Sequence, residues 1–300
     1  MKNYLVVLFF FFVGVNNAQE ANSLEPLYFS IDEALSSGGN VTQLNLRDQF
    51  LFVTPNKISE LSHLKFLNLM QNNLEKFDQN LLQLSKLEVL VLRQNAIKYI
   101  PKEIEQLNKL KKLDVAVNKL TKLPTEIGEL HKLEYLYSSL NSLVAVPESI
   151  GDCKQLLALE LDNNQISYLP ESLSKLKKLK VLQLSNNQLY EIEKDRFNLP
   201  NLKELKLDYN SLKYLPEDIS QLKSLEALLL NYNVLEKLPD NLVQLQKLNF
   251  LSLANNNLAK LPKNISQLTN LKTLILTGNP ISEAEKLRLQ QELPQCKIYF

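Results

Sequence analysis

The sequence predicts an α/β repeat fold. It reads as a right-handed solenoid with one parallel sheet on its concave side, short helical or 3-10 turns on its convex side, and helical caps at both ends. Three observations predict this. The stretch at residues 202–224, LKELKLDYNSLKYLPEDISQLKS, returns with the same apolar skeleton 23 residues later, from Leu225, and again from Leu248. Within each unit the apolar residues change spacing, from two in the first half to three and four in the second. One such unit cannot bury both halves alone, so neighbouring units must stack and share a continuous core.

Residues 1–18 read as a secretory signal peptide, with Lys2 as the positive start and Leu5 to Val15 as an apolar run of 11 residues. That run suits the apolar region of a leader and falls short of the roughly 20 residues that span a bilayer. Cleavage is expected after Ala18. Residues 19–40 form an N-terminal cap. In it, Ser30-Ile31-Asp32-Glu33 spells a capping box before a short helix that ends near Gly38 and Gly39.

Ten units of 23 residues fill 41–270, starting at 41, 64, 87 and so on, and a partial eleventh with a C-terminal cap occupies 271–300. In each, the x-L-x-L-x stretch has period two and predicts a short strand. An Asn at the ninth position, from Asn72 to Asn279, follows the strand; only the first unit departs, with Gln49. Its amide offers both donor and acceptor, so it is expected to satisfy backbone of its own coil and of the next one. The L-P-x-x-I-x-x-L half suits a helical or 3-10 turn, which Pro can open without losing a hydrogen bond. Phe77-Asp78 and Ile192-Glu193 replace Leu-Pro in two units, and Ser138 stands where a strand leucine belongs. Ser282-Glu283-Ala284-Glu285 is a second capping box, opening a helix to about Glu292, and residues 296–300 read as a last strand.

Charge is balanced, with 34 basic and 33 acidic residues, which excludes nucleic acid as the main target. His63 and His131 lie three units apart, too far to share a metal, and Cys153 and Cys296 about six units apart, too far to bridge if the units stack. Both cysteines are expected as buried thiols. No nucleophile elbow, phosphate loop or zinc motif is present. Asp114, Glu160, Asp162, Glu204 and Asp208 recur on the predicted strand face, but Lys112 and Lys206 beside them should depress their pKa values. The expectation is therefore no enzyme, no cofactor and no metal.

These units resemble the leucine-rich repeat family, and within it the 23-residue LPxxIxxL subclass that includes Ras-group scaffold-like proteins and many bacterial repeat proteins. The opening YFSIDEALSSGGNVTQLNL and the closing LTGNPISEAEKLRLQQELPQCKIYF look like caps of secreted bacterial members. The resemblance implies a curved solenoid whose concave face binds protein or peptide ligands.

Side chains at the third, fifth and seventh positions of each unit face outward, with the eighth just beyond the strand. The candidate ligand-binding residues there are Phe66, Met70, Val89, Val91, Val117, Tyr135, Tyr137 and Leu140, expected as one apolar strip, and Tyr209, Leu229, Tyr232 and Phe250 as a second patch. Outward positions of the sixth and seventh units are mostly polar: Glu160, Asp162, Asn163, Gln183, Ser185 and Asn186. The expected function is a monomeric, secreted or periplasmic module that binds a protein or peptide, with no nucleic acid and no stable membrane insertion after signal cleavage. An envelope spacer without a ligand, an intracellular signalling scaffold and a hydrolase are the alternatives.

Overall fold

Strand leucines placed every 23 residues stack coil on coil, and the backbone follows them. The computed structural model describes residues 21–300, so the signal peptide expected at 1–18 lies outside the described residues. The strands are β1 (Leu27–Tyr28), β2 (Gln43–Asn45), β3 (Phe66–Asn68), β4 (Val89–Val91), β5 (Lys112–Asp114), β6 (Tyr135–Tyr137) and β7 (Ala158–Glu160). They continue as β8 (Val181–Gln183), β9 (Glu204–Lys206), β10 (Ala227–Leu229), β11 (Phe250–Ser252), β12 (Thr273–Ile275) and β13 (Lys297–Tyr299). All pair in parallel, in sequence order, as one open sheet. The register steps by 23 residues, as in Leu67 opposite Leu90 and Leu90 opposite Leu113. These leucines are fully buried in one core that runs the length of the molecule.

Proline does its work one residue earlier than a first-turn role would require. Pro101, Pro124, Pro147, Pro170, Pro216 and Pro239 each sit in extended backbone immediately before a five-residue 3-10 turn. Their carbonyls accept the turn's first hydrogen bond, as from the Ile104 N–H at 3.1 Å. Where the sequence lacks this proline the turn changes. Asp78 caps a four-residue helix, α2 (Gln79–Leu82), by accepting from the Asn80 N–H at 2.8 Å. In the seventh coil no 3-10 turn forms, and the displaced Phe197 is fully buried in the core instead.

The ninth-position asparagines form a continuous ladder, running in the direction opposite to the one expected. Asn164 is representative: its Oδ1 accepts from the Leu143 N–H at 2.9 Å, and its Nδ2 donates to the carbonyls of Ser138 at 3.1 Å and Leu161 at 3.0 Å. Each asparagine thus ties its own coil to the preceding one, not to the next. Gln49 is the exception, and its own N–H donates to Asn72 Oδ1 of the next coil at 3.1 Å. Its longer side chain reaches the Phe29 carbonyl at 2.7 Å.

Helices flank the two ends, α1 (Ile31–Ser36) and α3 (Glu283–Glu292). Ser30 caps α1 by accepting from the Glu33 N–H at 3.1 Å, and the chain leaves that helix through Gly38 at φ 65°. Strand β1 was not expected; Gln43 holds it by donating to the carbonyls of Asn22 and Glu25. Ser282 caps α3 by accepting from the Glu285 N–H at 3.2 Å. Glu285 does not fold back to close the box. It accepts from the Leu261 N–H at 2.9 Å and pairs with Arg288 at 2.7 Å, fastening the helix to the tenth coil.

Ser138 is fully buried, and its hydroxyl has no hydrogen-bond partner. Cys153 is buried as expected, with its thiol donating to the Ile127 carbonyl, whereas Cys296 is only half-buried; both are free. Among the described residues no helix is long and apolar enough to cross a membrane.

Candidate functional site: the open face of the sheet

Alternation along each strand sends one set of side chains into the core and the other to the open face. Register stacks the open-face residues in columns. The third-position column includes Val89, Lys112, Tyr135, Ala158, Val181 and Glu204, and the fifth includes Asp114, Tyr137, Glu160, Gln183 and Lys206. The middle of the third column forms a small apolar layer of its own. Tyr135, Ala158 and Val181 pack together there under Tyr137 and Leu157.

This corrects part of the predicted strip. Val89, Val91 and Tyr135 are buried by their neighbours and do not present contact area. Phe66, Met70, Val117, Tyr137, Leu229 and Phe250 are half-buried on the open face, and Leu140, Tyr209 and Tyr232 are exposed by about half. The expected first strip is therefore broken at the third coil, while Tyr209 and Tyr232 stand together. Their rings stack at 4.3 Å between centroids with 8° between planes.

A feature missed in the sequence sets these residues apart. The eighth position of every coil lies in the left-handed region, from Asp48 at φ 59° to Gly278 at φ 80°. Five of the eleven coils fill it with residues suited to that backbone: Asp48, Asn163, Asn186, Asn255 and Gly278. Val117, Leu140, Tyr209 and Tyr232 occupy it at φ 53–57° although bulky L-residues pay for that conformation. The signal was legible as a column of Asn, Asp, Gln and Gly immediately before the repeating Asn.

A second missed feature is a polar ladder at the seventh position. In seven of the eleven coils its backbone N–H is met by a side chain. In the early coils the acceptor is two residues back: Asn45 for Arg47, Asn68 for Met70, Asp114 for Ala116. Further along, the acceptor is the seventh residue of the preceding coil. Ser139 accepts from the Asp162 N–H, Asp162 from that of Ser185, Asp208 from that of Asn231, and Asn231 from that of Ala254, at 2.6–3.1 Å. Polar residues of the sixth and seventh coils are thus structural partners as well as solvated groups.

The carboxyl groups behave contrary to the expectation that Lys112 and Lys206 depress them. Burial pushes Glu160 up to about 7, with Asp162 and Asp114 adding to the rise and Lys206 and Arg93 opposing it. Burial also pushes Asp162 up to about 6, against the Ser185 N–H and Lys206, and raises Asp114 and Asp208. Desolvation outweighs the lysines here partly because Lys206 is engaged by Glu204 at 2.8 Å. Tyr137 is raised by burial and by Glu160, and Lys112 Nζ lies 5.3 Å from its ring centre. Among the described residues no group of His, Cys, Asp and Glu is arranged to hold a metal.

Away from this face, Phe29, Phe50, Phe52 and Val53 are exposed around the first coil, a group the sequence reading passed over.

Two family models match the chain: a leucine-rich repeat over residues 177–235 and a leucine-rich repeat region over residues 44–140. The comparison with curated proteins finds no match. Among solved structures, the plant peptide hormone receptor RGFR1 in complex with RGF2 is 32% identical, with a TM-score of 0.71, over 80% of this chain and 40% of that one. A TDR receptor is 26% identical with a TM-score of 0.70, over 85% and 50% of the two chains. A chain of the octameric complex of Latrophilin 3, Unc5D and the FLRT2 leucine-rich repeats is 26% identical with a TM-score of 0.75, over 86% and 83%. The chain spans half or less of the two receptor chains it matches. The 23-residue register, the asparagine ladder, both family models and these structures agree: this chain is a leucine-rich repeat protein.

Proposed function

We propose that the protein is a non-enzymatic module that binds a protein or peptide through the open, concave face of its sheet, in the secreted or periplasmic space. One observation carries the reading. Leu140, Tyr209 and Tyr232 combine half-exposed apolar surface with left-handed backbone. Neither stability nor solubility selects that combination, and strained exposed residues of this kind collect at binding sites. Aromatic side chains with polar tips suit recognition. The matched structures support it, since RGFR1 is a peptide hormone receptor described with RGF2 bound. Residues 1–18 support export, with cleavage after Ala18, and the two end sequences support the secreted bacterial type of the 23-residue subclass.

Panning a random dodecapeptide library displayed on phage against the purified protein tests the reading. Enriched peptides should lose binding to a Leu140→Asn, Tyr232→Asn variant and keep it for variants in the 3-10 turns, such as Glu126→Gln. Equal binding to both, or no enrichment over a blank surface, counts against it.

A hydrolase is the second reading, favoured by the raised Glu160 and Asp162 on adjoining positions of one coil. Turnover of sugar or peptide substrates that Glu160→Gln abolishes would support it over the first.

A further inference from the structure

The stacked tyrosines are the most unusual feature of the open face, and their surroundings indicate what covers them. Stacking leaves each ring an outer surface in solvent, and aromatic faces carry negative potential that attracts cations. Asp208 precedes Tyr209 directly in the chain, and its carboxylate accepts from the Asn231 N–H and Nδ2 at 2.8 and 2.7 Å, fixing it beside the pair. From the fourth coil to the eighth, strand and post-strand positions of this face carry five carboxylates, the buried Asp114 and Glu204 and the half-buried Glu160, Asp162 and Asp208, against Lys112 and Lys206, with Arg93 at the margin in the third coil. The whole chain is balanced at 34 basic to 33 acidic residues, so this excess is local.

The carboxylates are not equally engaged. Asp114 accepts from a backbone N–H, as do Asp162 and Asp208, and Glu204 holds Lys206. Among the described residues no hydrogen bond or ion pair reaches the Glu160 carboxylate, which is half-buried at the middle of the face.

Building on the function proposed above, we propose that the partner is basic: an extended peptide segment crosses the sheet from the fourth coil to the ninth, placing an arginine or lysine on the Tyr209–Tyr232 pair against Asp208 and another beside Glu160. Five strand spacings of about 4.8 Å make roughly 24 Å, which about seven extended residues cover at ~3.3 Å each. An acidic or nucleic-acid partner would face like charge along most of that path.

The geometry also gives the binding a pH dependence. Groups facing Glu160 are Asp114 from β5, Tyr137 from β6, Asp162 on its own coil, Lys206 from β9, and Arg93 just after β4. With Glu160 titrating at about 7 and Asp162 at about 6, the face loses negative charge between pH 8 and 5.5. A cationic ligand should bind less tightly at the lower pH.

Fluorescence anisotropy with labelled hexa-arginine and hexa-glutamate, titrated with the full protein at pH 8 and 5.5, tests this. The expected result is saturable binding of hexa-arginine only, weakened at least fivefold at pH 5.5. Glu160→Gln with Asp208→Asn should weaken it at least tenfold at pH 8 and flatten the pH dependence, while Glu103→Gln with Glu126→Gln on the 3-10 side should not. Tyr209→Asn keeps a residue suited to the backbone, so its expected fivefold loss reads out the ring rather than folding. Absence of hexa-arginine binding, equal binding of hexa-glutamate, or equal loss in the Glu103, Glu126 variant overturns the proposal. Library peptides that bind the open face without a basic bias would overturn it too, leaving the broader binding function standing.

Discussion

Tyr209 and Tyr232 stack ring on ring at 4.3 Å across adjacent coils, each on backbone at φ 53°. Holding a bulky L-residue in the left-handed region costs roughly 1–2 kcal/mol, and the stack returns about 0.5–1.5 kcal/mol once for the pair. Tyr209→Asn should therefore be close to neutral, and the double variant Tyr209→Asn, Tyr232→Asn more stable than either single one, by up to about 1 kcal/mol. Leu140→Asn, with no stack to lose, should gain about 0.5–1 kcal/mol. Urea midpoints measure all three; a double variant less stable than wild type by over about 1 kcal/mol would contradict the strain argument.

Ser138 occupies a core position of its strand with a hydroxyl that meets no partner. Ser138→Ala removes that unpaired group and should stabilise by up to about 1 kcal/mol. Ser138→Leu, restoring the repeat, should stabilise by about 1–2 kcal/mol. A loss in both, measured by thermal unfolding, would show that the hydroxyl has a partner in solution.

The fold was legible because the repeat states each requirement many times over: leucine at period two, asparagine at nine, proline before the turn. The strand positions, the end helices and the buried Cys153 followed from local rules. The open face was less legible. Val89 and Tyr135 carry the same outward alternation as Phe66, yet neighbouring coils cover them, and cover depends on side chains 23 residues away in either direction. The pKa of Glu160 was misread for a related reason, since proximity to lysines is visible in sequence and desolvation is not. The ladder ran backward because nothing in one unit tells which neighbour its asparagine meets.

Glu160 gives stability a pH dependence whose sign is fixed. Its folded pKa, about 7, lies above the ordinary carboxyl value of 4.5, so the folded state holds the proton more tightly and stability falls as pH rises through that window. Glu160→Gln removes the penalty. It should stabilise by about 1–2 kcal/mol at pH 8 and have little effect at pH 4. Denaturant midpoints at the two pH values check this, and an equal effect at both would refute it.

Tyr135 separates packing from recognition on the same face. Buried against Ala158 and Val181, it should cost about 2–4 kcal/mol when replaced by alanine. Unchanged thermal stability of Tyr135→Ala would mean that the third-column layer contributes nothing to folding.

The most direct test of the binding face is calorimetric titration of a library-selected dodecapeptide into wild type and into the Leu140→Asn, Tyr209→Asn, Tyr232→Asn variant. The left-handed column predicts at least a hundredfold loss of affinity in a variant whose urea midpoint is unchanged or higher. Undiminished affinity in that variant would contradict the assignment of binding to the open face.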